Sequence, residues 1–149
     1  MNLEKKINDD MVKYMKEKDS FALSVVRMIK ASLQLESIAK KQDLTDDDVI
    51  SVISKQIKSR KDSIIEFEKG NRNDLVEKTK KEIELLMTYM PEQLSNEEII
   101  SIIDECFNEI KPTSSKDMGL IMREINPKLK GKADMAYVNS LIKEKLNSL

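Results

Sequence analysis

The sequence predicts an all-α protein, and three observations carry the prediction. Only three glycines and three prolines occur in 149 residues, too few for the tight turns a multi-stranded sheet would need. Leu, Met, Glu and Lys, which favour helices, are abundant. Apolar residues recur three and four positions apart along most of the chain, the spacing that lines one face of a helix.

The elements follow in order. Leu3, Ile7, Met11 and Tyr14 or Met15 form one apolar stripe over residues 3–18. Asp19 or Ser20 can cap a second helix, whose inward face is Ala22, Val25 or Val26, Ile29, Leu33 and Ile38. Thr45, followed by Asp46, Asp47 and Asp48, marks a third helix start: a hydroxyl to accept from backbone amides, and carboxylates where the helix dipole favours negative charge. The seam of that helix is Ile50, Ile53, Ile57, Arg60, Ile64 and Phe67, and Gly70 is expected to close it in a left-handed conformation. Asn73 or Asp74 can cap a fourth helix, with Leu75 or Val76, Thr79, Ile83, Leu86 and Met90 inward, that stops at Pro91. Two long helices joined by a short loop make an antiparallel hairpin, and the first two helices can cover its seam.

The composition changes after Pro91. Ser95 with Glu98 is a capping box that opens a helix facing Ile99, Ile102 or Ile103, Cys106 or Phe107, and Ile110 inward. Met118, Ile121, Met122 and Ile125 line a further helix, expected to end at Pro127. Val138, Leu141, Ile142 and Leu146 line the last, which starts at Ala133-Asp134. A boundary near 91–94 is therefore expected. It would divide a helical hairpin or bundle domain, 1–91, from a small three-helix domain, 95–149.

Composition also excludes function classes. Charged residues make up 36% of the chain yet sum to −1, so bulk positive charge does not draw it to nucleic acid, and any polyanion site must be local. There is no Trp, and 4% aromatic residues supply few platforms for stacking bases. With no His and one cysteine, Cys106, neither a disulfide framework nor an ordinary zinc site can be built, and no metal or cofactor is expected. No apolar run approaches the roughly 18 to 20 residues of a membrane span. The start MNLEKKINDDMVKYM has no apolar h-region, and a reducing cytoplasm is the expected location.

No catalytic residue stands out. Cys106 lies in an apolar helical stripe among acids, without a His to act as base, and reads as core packing. Asp46, Asp47 and Asp48 are better explained by capping than by magnesium, and no glycine loop for cradling phosphate is present.

Binding is more legible. Residues 95–110 carry five acids and no base, whereas residues 111–149 carry eight bases and four acids, a local net charge of +4. Thr113, Ser114 and Ser115 precede a helix whose free amides, with Lys116, could accept a phosphate, although Asp117 in the same turn works against it. Lys128, Lys130 and Lys132 then alternate before the last helix, with Gly131 free to take a positive φ or to lie close to another chain. Two helix starts and three lysines are expected to converge here; on charge pattern alone, such a loop is more often a solvated connection. A secondary basic patch would consist of Lys58, Arg60 and Lys61. The commoner role for Arg60 is to cover apolar surface and pair a carboxylate.

Four stretches go beyond physical pattern: SVVRMIKASL at 24–33, SRKDSIIEFEKGNRNDLV at 59–76, EIELLMTYMPEQLSNEEI at 82–99 and KDMGLIMREINPKLKGKADMAYVNSLIKEKL at 116–146. Through them the chain resembles the YqeY family, whose C-terminal part is similar to the tail domain of the B subunit of tRNA-dependent amidotransferases. The resemblance to that tail runs from about residue 95 onward, chiefly through KGKAD and Val138-Asn139 with Leu141-Ile142. It implies two helical domains and a role in handling RNA, with Lys128, Lys130, Gly131, Lys132 and Asn139 as tail-like positions. Together with Lys116 these form the expected RNA-binding set. Met135 departs from the pattern, since many relatives have glycine there.

Three functions are carried forward. The first is a non-catalytic RNA-binding protein, tRNA being the RNA the resemblance implies. The second is an adaptor that docks on an amidotransferase or another translation protein through the acidic 95–110 helix or the N-terminal hairpin. The third, glutamine-dependent carbon-nitrogen ligase activity, comes only by association with the family, because the amidase subunit and the kinase-like domain that transfer the amide are not in this chain.

Overall fold

The computed structural model describes residues 2–149. Among them are seven α-helices, one 3₁₀ turn and no strand: α1 Leu3–Glu17, α2 Ser20–Lys40, α3 Asp46–Lys69, α4 Asn73–Met87, α5 Asn96–Ile110, α6 Met118–Leu129 and α7 Met135–Asn147, with the 3₁₀ turn at Ser115–Asp117. The chain is all-α, as its periodicity requires. It divides into two compact units, the first ending at Met90 and the second running Pro91–Leu149.

In the first unit Asp19 is the cap of α2, accepting from the Ala22 amide at 3.1 Å. Thr45 and Asp48 form a reciprocal capping box at α3. Asp48 also pairs with Lys40, and that bond, with the Thr45 amide, lowers its carboxyl to about 2. The core is assembled from Leu3 and Ile7 of α1, Val25, Val26, Ile29 and Leu33 of α2, Val49, Val52, Ile53 and Ile57 of α3, and Leu86 of α4 with Tyr89 beyond it. Each side chain fully withdrawn from water contributes about 1.5–3 kcal/mol. The phenol of Tyr89 donates to Asp10 at 2.6 Å under the ammonium of Lys6, 4.8 Å from the ring centre. Burial and this bond push the Tyr89 hydroxyl well above its ordinary value.

Several local expectations are corrected. Ile38 does not face the core; it is 66% exposed, because it lies on the opposite side of α2 from Ile29 and Leu33. Gly70 has φ −87°, and the left-handed residue is Asn71 at φ 55°, a conformation Asn tolerates through its short polar side chain. Neither Asn73 nor Asp74 caps α4. The cap is Arg72, whose side chain makes no capping bond to a helix amide; its guanidinium instead forks onto the Asp74 carboxylate at 3.2 and 3.1 Å. Helix α4 ends at Met87 rather than at Met90. The amides of Thr88, Tyr89 and Met90 reach back only three residues, tightening the chain before Pro91.

The second unit is a three-helix arrangement. Ser95 and Glu98 form the expected capping box of α5. The interior comprises Ile99, Ile103, Cys106 and Phe107 from α5, Ile121, Ile125 and Leu129 from α6, and Val138, Ile142 and Leu146 from α7. Pro127 does not end α6. It removes one amide from the last turn, but Lys130 donates to the Asn126 carbonyl at 2.9 Å and Leu129 is wholly buried, so packing carries the helix two residues further.

Candidate functional site

The lysine segment is built on the end of α6. Leu129 anchors it from the core, and the amide of Lys132 donates back to the Leu129 carbonyl at 2.9 Å. Lys130 at φ −58°, ψ 124° and Gly131 at φ 76° occupy the two central positions, the pattern of a type II turn, which needs a residue without a Cβ at its second centre. Gly131 is therefore required by the turn itself. The segment leading out of the N-terminal half pins this turn: Gln93 Nε2 donates to the Gly131 carbonyl at 2.7 Å, and the Leu94 amide donates to the Lys132 carbonyl at 2.9 Å. Lys130 and Lys132 are thus displayed, exposed, from a backbone held at the carbonyls of Gly131 and Lys132. Lys128 sits on the last turn of α6, half exposed, with its ammonium 3.6 Å from Glu124. Neither Gln93 nor Leu94 was legible as part of the site, because their bonds cross 38 residues of chain to backbone atoms and leave no mark in side-chain pattern.

The expected convergence of two helix starts on the lysines does not occur. The start of α6 and the lysine turn lie at opposite ends of a twelve-residue helix, roughly 18 Å apart at 1.5 Å per residue, so Lys116 is remote from Lys128, Lys130 and Lys132. Each helix start is also supplied with a carboxylate of its own. Asp117 accepts from the Thr113 amide at 2.7 Å, which holds its carboxyl below the usual range, and Asp134 accepts from the Ala136 amide at 2.9 Å at the head of α7. These bonds place negative charge where a phosphate would have to dock. What remains to meet an anion is the side chains of the lysine turn.

Asn139 lies in the middle of α7, half buried, and its Oδ1 is enclosed without a hydrogen-bond partner. The secondary patch comes apart. Arg60 is 8% exposed, and its guanidinium is committed to Glu82 at 3.4 Å, to the Gln56 carbonyl at 3.2 Å and to the sulfur of Met28 at 3.4 Å. It is an internal tie between α3 and α4, unavailable to a phosphate. Lys58 and Lys61 are exposed, and Lys58 lies 4.0 Å from Asp62.

Two further features bear on chemistry. Burial pushes the Cys106 thiol up, away from the thiolate a nucleophile needs. Lys145 reaches Asp104 at 2.5 Å over the ring of Phe107, so the acidic α5 and the basic helices after it partly neutralise one another. Among the described residues no cluster of three metal-ligating side chains occurs, and no helix is long and apolar enough to cross a membrane.

Fold and site together define a class: a small all-helical protein whose C-terminal three-helix unit displays lysines on a pinned type II turn. The chain belongs to the YqeY family, matching over residues 4–146 the family described as Yqey-like protein. Among curated relatives it is 31% identical to altered inheritance of mitochondria protein 41, mitochondrial, of Pyrenophora tritici-repentis, over 93% of this chain and 78% of that protein. It is 33% identical to an uncharacterised protein of Schizosaccharomyces pombe, over 64% of this chain and 77% of that one. A Lachancea thermotolerans protein with the same mitochondrial name is 34% identical, over 72% of this chain and 59% of its own length. These names correct the expectation of a cytoplasmic protein, since the named relatives are mitochondrial. The expectation rested on a single cysteine and on the lack of an h-region, and neither property separates one reducing compartment from another.

Proposed function

We propose that the protein binds structured RNA, tRNA foremost, without catalysing a reaction on it, and that the lysine turn at 128–132 is the contact surface. The observation that carries this reading is the rigid display of Lys130 and Lys132 from a turn whose Gly131 and Lys132 carbonyls are held by Gln93 and Leu94. A pinned backbone presents cations to a phosphate array without first ordering a loop, so less of the interaction is lost to entropy. The tail-like stretch KGKAD at 130–134 supports the same surface. Lys128 adds a cation once it exchanges Glu124 for phosphate.

The test is a fluorescence titration of labelled tRNA with the whole chain at 50 and 200 mM salt. With about four phosphate contacts, affinity falls roughly a hundredfold between those concentrations. Replacing Lys128, Lys130 and Lys132 together by Glu removes most of the binding. Unchanged affinity in that triple variant overturns the proposal.

A further inference from the structure

Two methionines are exposed among the described residues, Met15 at 45% and Met28 at 50%, and their surroundings differ. Among the described residues no donor is directed at the sulfur of Met15, whereas the sulfur of Met28 accepts from Arg60 Nη2 at 3.4 Å. That donor is fixed in place. Arg60 is buried, with its Nε on Glu82 at 3.4 Å and its Nη1 on the Gln56 carbonyl at 3.2 Å. Met28 is held at its other end as well, because Gln56 Nε2, one turn before Arg60 on α3, donates to the Met28 carbonyl at 3.1 Å. An accessible thioether outside the apolar core is thus tied at backbone and sulfur to α3, with a buried guanidinium aimed at the sulfur.

We propose that Met28 is a reversible oxidation site whose reagents are hydroperoxides, and that Arg60 receives the sulfoxide oxygen, so that oxidation tightens α2 against α3. A sulfur lone pair attacks one oxygen of the hydroperoxide. The S–O bond forms as the O–O bond breaks, and sulfur gives two electrons to the peroxide. The proton on the transferred oxygen passes to the departing one, which leaves as water or an alcohol. A dithiol reverses the step, becoming a disulfide and releasing the oxygen as water. Because Arg60 occupies one lone pair, attack comes through the other and gives one sulfoxide epimer. Rotation about the Cγ–Sδ bond then brings the oxygen to Nη2. A thioether is a weak acceptor, whereas a sulfoxide oxygen carries negative charge and bonds a charged donor strongly. Oxidised methionine ordinarily loosens a protein by placing a polar group among apolar ones. Met28 lies outside the core, so that loss is small and the gained bond sets the sign. The other donors of Arg60 stay on Glu82 and Gln56.

The proposal is independent of the RNA reading and is tested on the whole chain with graded hydrogen peroxide, oxidation being assigned by mass spectrometry of peptides. Met15 and Met28 oxidise before the partly buried Met11, Met87, Met90 and Met122. Sulfoxide reductases of opposite stereospecificity then separate the two sites: one clears Met28 and the other leaves it untouched, whereas each clears about half of Met15. Urea denaturation reads the consequence. Met15→Leu keeps Met28 as its exposed thioether, and peroxide raises its unfolding midpoint. Met28→Leu keeps Met15, and its midpoint stays or falls. Both positions are exposed, so both variants fold. A Met28 that resists oxidation, an equal mixture of epimers there, or a midpoint in Met15→Leu that stays or falls after oxidation overturns the proposal.

Discussion

The N-terminal unit admits polar side chains among its buried residues, whereas every buried side chain of the C-terminal unit is apolar. Arg60 and Thr79 are buried in the first, and the phenol of Tyr89 is closed over Asp10. The second is filled by isoleucine, leucine, valine, Phe107 and Cys106, and its one enclosed orphan is a single atom, Asn139 Oδ1. Helix length explains the difference. The 24 residues of α3 outrun the apolar core supplied by α1 and α2, and beyond Ile57 its contact with α4 includes the Arg60–Glu82 pair beside the buried Val76 and Thr79. Helices α5, α6 and α7 have 15, 12 and 13 residues and stay within one apolar cluster. A long hairpin needs a fixed register, and the Arg60–Glu82 contact forms in one register only. A short bundle is fixed by close packing alone.

Truncation of the apolar interior breaks the C-terminal half of this contrast most severely. Leu129→Ala leaves a cavity at a wholly buried position and costs about 3 kcal/mol, measured by urea denaturation. It also loosens the lysine turn, whose first carbonyl belongs to Leu129. Arg60→Ala tests the N-terminal half at a cost of about 2 kcal/mol, because Glu82, 17% exposed at its side chain, keeps part of its hydration when stranded. Arg60→Met with Glu82→Leu recovers that loss if the pair acts through register alone, and amide exchange along α4 reads whether the register is kept. Tyr89→Phe has the smallest effect, about 1 kcal/mol at neutral pH from the hydrogen bond to Asp10. The sign of its pH dependence follows from the raised hydroxyl: the contribution is complete below pH 10, the phenol's ordinary value, and falls as pH rises, since the unfolded chain ionises first. An alkaline melting series in which parent and Phe variant run parallel would contradict that assignment.

The extent to which this was legible differs by kind of contact. Most helix interiors and the caps at Asp19, Thr45 and Ser95 could be read directly, because each rests on residues within four positions of one another, although the expected α3 seam left out the buried Val49 and Val52. The left-handed residue after α3 was misplaced by one position because Asn71 takes that conformation as well as a glycine would. The lysines of the turn were visible as charge, but which of them share a surface was not. Lys116 belongs to the far end of α6, and Arg60 belongs to the interior.

The sequence by itself determined that the chain is all-helical, that its helices present their apolar stripes inward, and that cations gather at 128–132, since periodicity and local charge are properties of neighbours. Tertiary structure alone decided that Gln93 and Leu94 pin the turn, that Glu82 claims Arg60, and that Met28, Leu35 and Ile38 stay outside the core. Each of these depends on which distant segment fills a given space. A side chain's pattern records that it can be buried or paired, and packing decides with what.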